Sequence, residues 1–90
     1  MYTVNVIYDD DKFIENFNKF LIDSDNVFYS FIDERTRTGK KKGWQIKASL
    51  GARLCPFIAV YKEDIPIKAF YTEADNDIIN SLNCFLNECN

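Results

Sequence analysis

The sequence predicts an α/β domain of order βαβ-α-ββα, with a four-stranded mixed sheet flanked by helices. Three observations carry that expectation. Residues 2–8, Y-T-V-N-V-I-Y, alternate in character, and a helically spaced apolar stripe and a second β-rich run follow at once. Phe57 to Tyr61 form an unbroken apolar run directly after Pro56, the pattern of a strand covered on both sides. Residues 65–71 return after a short polar turn, and a last apolar stripe closes the chain.

Each element has its own signal. Tyr2, Val4, Val6 and Tyr8 share one face of the first strand, which Asp9, Asp10 and Asp11 end. Phe13, Phe17, Phe20 and Leu21, flanked by Ile14, predict a helix over about 12–22 whose stripe is core. One aspartate caps it, and all three suit the positive end of its dipole. Asp23 to Asn26 make a turn before V-F-Y-S-F-I at 27–32, the second strand of a βαβ unit with parallel strands. Residues 33–43 are polar and read as a flexible loop, Gly39 and Gly43 bracketing Lys40, Lys41 and Lys42. A helix resumes near Trp44 and runs through Ile46 and Leu50 toward Arg53, with Gly51 either a late helical residue or its cap. Pro56 opens a strand over 57–61, Lys62 to Asp64 turn, and Pro66 marks the strand over 65–71 as an edge. Thr72 and Asp75 offer caps for a final helix, one side of which carries Ile78, Ile79, Leu82, Phe85, Leu86 and Cys89.

Ninety residues allow one domain, spanning 1–90. A chain this short buries only about 60 to 65% of its unfolded surface, so its core must be well filled. Apolar residues at 47%, with eight Phe, five Tyr and one Trp, suffice for that without a metal or a disulfide framework. Three cysteines, Cys55, Cys84 and Cys89, cannot all pair, which points to a reducing compartment such as a cytoplasm, or to an assembly formed there. With no histidine, the commonest metal ligand and general base is missing, and no cofactor or metal is expected. No apolar segment is long enough to span a bilayer and the first residues do not resemble a secretory signal, so no membrane is expected. Frequent Asn, Ile and Lys fit an AT-rich coding genome, such as a small viral or bacterial one.

The stretch G-A-R-L-C-P-F-I-A-V-Y at 51–61, followed by a hairpin turn and a capped helix, resembles the thioredoxin superfamily, thioredoxin- and glutaredoxin-like domains included. Element order matches along the whole chain, residue types only over 48–88. The resemblance implies a cis peptide bond before Pro56 and a groove beside it that grips extended peptide. It also exposes a departure. Active members carry C-x-x-C, or at least one cysteine, between the first strand and the first helix, where this chain has Asp9, Asp10, Asp11 and Lys12. Carboxylates cannot attack a disulfide, so dithiol oxidoreductase activity is not expected.

The expected function is therefore a redox-inactive binding or assembly module, touching a protein partner through the Pro56 groove and a basic 35–47 loop. Arg35, Arg37, Lys40, Lys41, Lys42, Lys47 and Arg53 are seven of eleven basic residues, with no acid between Arg35 and Lys62. Beside Trp44 they suit an acidic protein surface ahead of nucleic acid, since the chain is net −3 and has one tryptophan there for stacking, against a bland reading of the segment as an inert solvated loop. The alternative is a thiol-dependent redox protein or sensor working through Cys55, against a bland reading of Cys55 as a packing residue. Asp9 to Asp11 suit capping better than cation binding, because successive residues at a strand end point apart. Cys84 reads as core-adjacent and Cys89 as frayed, five residues apart and poorly placed to bridge.

Overall fold

A computed structural model describes residues 1–72 and 77–89, the side chain of Cys89 excepted. Strands β1 (Tyr2–Tyr8), β2 (Val27–Asp33), β3 (Phe57–Lys62) and β4 (Ile65–Tyr71) alternate with helices α1 (Asp11–Phe20), α2 (Arg37–Ser49) and α3 (Ile78–Cys89). The sheet has the order β2-β1-β3-β4, with β1 parallel to β2 and antiparallel to β3, and β4 antiparallel to β3. The α/β class and the four-stranded mixed sheet are those expected from the sequence.

Two apolar layers follow from the pleat. Val4 and Val6 of β1, Ile58 and Val60 of β3, Val27 and Phe70 point to one face, where they meet Phe17 of α1 and Ile78, Leu82 and Leu86 of α3. Ile7, Ile32, Phe57 and Ala59 point to the other, where Ala52 and, from α2, Ile46 and Leu50 pack on them. The register pairs Val6 with Ile58 and Ile7 with both Ile32 and Phe57, so each layer is continuous across the central strands. Phe57 to Val60 are buried throughout, which explains the unbroken apolar run. The edges are β2 and β4. Pro66 lies on the edge strand β4, opposite Tyr61 and beside a register shift between Val60 and Tyr61.

Four expectations need correction. Helix α2 begins at Arg37, not near Trp44, so most of the presumed loop is its first two turns. Thr36 caps it, its side chain accepting from the Gly39 N–H at 2.9 Å. Gly39 and Gly43 serve close packing rather than flexibility: a Cβ on Gly39 would overlap the Asp33 carbonyl, and one on Gly43 would lie 2.5 Å from Glu34 Oε2. The helix also ends earlier than Arg53. Gly51 adopts φ 77°, the Gly51 N–H reaches the Ala48 carbonyl and the Ala52 N–H the Lys47 carbonyl, a closing pattern that only glycine allows cheaply.

The second correction is Phe20, 62% exposed rather than core. As the last residue of α1 it precedes an extended Leu21, and Leu21 and Ile22 pack against the core in its stead. Third, the α3 cap is Asp77, whose Oδ1 accepts from the Asn80 N–H at 3.1 Å; the Thr72 hydroxyl donates instead to the Pro56 carbonyl, and Asp75 lies outside the described residues. Fourth, Cys84 is exposed, on the outer side of α3. The side chain of Cys89, and so its fraying or bridging, lies outside the described residues.

Candidate functional site

The carboxyl ends of β1 and β2 and the start of β3 meet at one rim of the sheet. There the Glu34 N–H donates to the Tyr8 carbonyl at 2.8 Å, fixing Glu34 one residue past β2. Its side chain turns inward through the space that Gly43 leaves under α2. Lys47 comes from α2 on the stripe that also carries Gly43, Ile46 and Leu50, and it is only 2% exposed. Its Nζ donates to Glu34 Oε1 at 2.7 Å and to the Arg53 carbonyl at 3.3 Å, and lies 3.6 Å from Cys55 Sγ. The Cys55 thiol donates to the same Glu34 Oε1 at 2.9 Å, while Glu34 Oε2 is buried without a partner.

The electrostatics follow from this geometry. Burial first, then the hydrogen bond to Glu34 and its negative charge, push the Cys55 thiol up to about 12. Burial is the largest single influence and works against the Lys47 ammonium, but the bond to Glu34 and the negative charge around it together outweigh it, and its pKa ends above the usual range. The cluster is thus an ion pair beside a thiol that keeps its proton. Thiolate, not thiol, is the nucleophile, so these surroundings disfavour the nucleophilic form, and the contacts tie α2 to the β2 rim and the Cys55–Pro56 segment.

The remaining expected residues divide into those that the fold consumes and those that it displays. Asp10 caps α1 through the Lys12 N–H at 3.1 Å. Arg35 grips Asp33 with Nε at 3.0 Å and Asp11 with a guanidinium nitrogen at 2.6 Å, which holds both carboxyls below their ordinary range and leaves Arg35 engaged. Among the described residues no group of three cysteine or acidic side chains converges as a metal site, and no helix is long and apolar enough to cross a membrane. Arg37, Lys40, Lys41 and Lys42 are exposed on α2 with no ion pair among the described residues. Trp44 beside them is half exposed, with Lys47 Nζ 5.1 Å from its ring centroid.

Pro56, joined to Cys55 by a cis peptide bond, faces away from α2. It lines a hollow of about 300 Å³ with Phe13, Asn16, Thr72, Ile78 and Ile79. A second hollow of about 430 Å³ adjoins it between α1 and α3, sharing Asn16, Asp77 and Ile79 and adding Phe20, Asn80 and Asn83. The structure therefore brings Cys55 to Lys47 and Glu34, but puts the α2 cations and the Pro56 groove on opposite faces of the sheet. Glu34 was missed from sequence. Its one signal is Lys47 on an otherwise apolar and glycine stripe, a buried cation that requires an acid.

Compared with known proteins, the chain matches no family model, no curated protein and no solved structure.

Proposed function

We propose that this chain is a redox-inactive, thioredoxin-like binding or assembly module that holds a protein partner at the groove beside Pro56 and offers the exposed cations of α2 to an acidic surface. The observation that carries this reading is the Cys55 thiol donating to Glu34 beside Lys47. It removes the one thiol near the groove from nucleophilic service, while the groove itself is lined by apolar and amide side chains suited to gripping chain. The contact set is narrower than the sequence implies: Arg37, Lys40, Lys41, Lys42 and Trp44 remain on α2, whereas Arg35 and Lys47 are tied up internally. The net charge of −3 favours an acidic protein surface over nucleic acid for this local patch, and a reducing compartment keeps the thiols free.

The rival reading, a thiol sensor at Cys55, needs thiolate that its surroundings disfavour. Affinity capture from the native source with the wild type, with Pro56→Ala and with Lys40, Lys41 and Lys42 changed to Glu tests the binding surface. Pro56→Ala should lose the partner held at the groove and the lysine-to-glutamate variant the acidic partner; a capture profile that neither variant changes removes the proposal. In a dithiothreitol-driven insulin-reduction assay the chain should be inert; turnover would restore the rival.

A further inference from the structure

The hollow between α1 and α3 is lined by carboxamides and an exposed aromatic ring. Three carboxamides, Asn16, Asn80 and Asn83, surround an aromatic ring, Phe20, that folding leaves mostly in water. Asn83 Nδ2 donates to the Phe20 carbonyl at 2.6 Å, and its Oδ1, shut off from solvent, has no partner. The Asn83 carboxamide carries two N–H donors, of which that bond uses one. Among the described residues Asp77 is the one ionisable side chain in the lining, and its Oδ1 accepts from the Asn80 N–H.

We propose that this hollow binds an extended, uncharged peptide segment, pairing its backbone amides with the carboxamides of Asn16, Asn80 and Asn83 and seating an apolar side chain against Phe20 and Ile79. The proposal rests on the binding-module reading above and names the partner's chemistry. A carboxamide presents one donor group and one acceptor, the same pair that a peptide bond presents, so it reads backbone irrespective of side chain. Among the described residues no lysine or arginine lines the space to meet an acid or a phosphate, and the one carboxylate there for a basic segment already accepts a hydrogen bond. The 430 Å³ hollow runs on past Asn16 and Ile79 into the 300 Å³ hollow at Pro56, an elongated shape that favours a chain over a compact ligand. Aliphatic and aromatic walls, Ile79, Phe13 and Pro56, suit apolar side chains better than a run of sugar hydroxyls.

The test is titration of the ¹⁵N-labelled full chain with a pool of end-capped hexapeptides built from Ala, Val, Leu, Phe, Ser and Gly, followed by NMR. The side-chain amide signals of Asn16, Asn80 and Asn83 and the backbone signals of Phe20 and Ile79 should move. Asn83→Leu should weaken the tightest peptide about tenfold, the equivalent of one well-placed hydrogen bond. Asn16→Leu provides the same reading should Asn83→Leu fail to fold. Shifts confined to Pro56 and Thr72 overturn the α1–α3 site and leave the binding module standing. Silence throughout with the peptides, or movement with maltotriose alone, overturns the peptide assignment, while partner capture lost in Pro56→Ala still upholds the wider reading.

Discussion

Glu34 and Lys47, thirteen residues apart, meet at 2.7 Å beneath α2, and neither side chain sees much water. Removing one partner of such a pair strands the other charge. Glu34→Gln should therefore lower the stability of the chain by about 3–5 kcal/mol. Combining it with Lys47→Met should recover most of that loss, because an apolar side chain of similar volume needs no counter-ion. Urea unfolding midpoints at neutral pH check both; equal destabilisation by the single and double variants would contradict the pairing.

Cys55 should behave as a slow nucleophile. In a Cys84→Ser, Cys89→Ser background, its alkylation by iodoacetamide should climb with pH through about 12 rather than level off just above the free thiol range. Glu34→Gln should bring the apparent pKa down, since it removes both the hydrogen bond and the charge that hold the proton. A wild-type rate profile centred near ~8.5 would discard the assignment.

The same shift makes stability depend on pH in a stated direction. The folded thiol, at about 12, holds its proton more tightly than an unfolded one near 9.0. Its contribution is complete below pH 9 and is lost as pH rises toward 12. Over that window the wild type should lose stability faster than Cys55→Ala, and parallel curves from chemical denaturation would refute it.

Gly43→Ala should cost about 1–3 kcal/mol, because its added carbon meets Glu34 Oε2 in a packed setting. Substituting Glu34 by Ala in the same chain relieves that clash, so the two changes should be strongly non-additive in a thermal-unfolding cycle.

Arg37→Glu should stabilise the free chain by about 0.3–1 kcal/mol, since it exchanges a cation for an acid at the positive end of the α2 dipole. It also puts an acid four residues before Lys41. Affinity for the proposed acidic partner should fall at the same time. A variant that is both less stable and unaltered in binding would argue that Arg37 is a folding residue.

The order of elements was legible because each strand and helix carries a local period. The start of α2 was not, because two glycines and three lysines read as a loop until their packing is seen: the glycines admit Asp33 and Glu34, and Thr36 supplies the cap. Phe20 fitted the helical stripe yet falls where the helix stops. Glu34, Lys47 and Cys55 come from three separate segments, and their meeting depends on β2 and β3 lying either side of β1, which no spacing along the chain encodes. The carboxamides of the α1–α3 hollow escaped for the same reason, as asparagines on two distant helices carry no periodic mark.

The sheet stands as a partition between the α2 cations and the hollow on its other side. Occupants of the two surfaces would never touch, so neither competes with the other for room. On the two-surface proposal the chain would have a valency of two and would bridge two partners in a three-component complex.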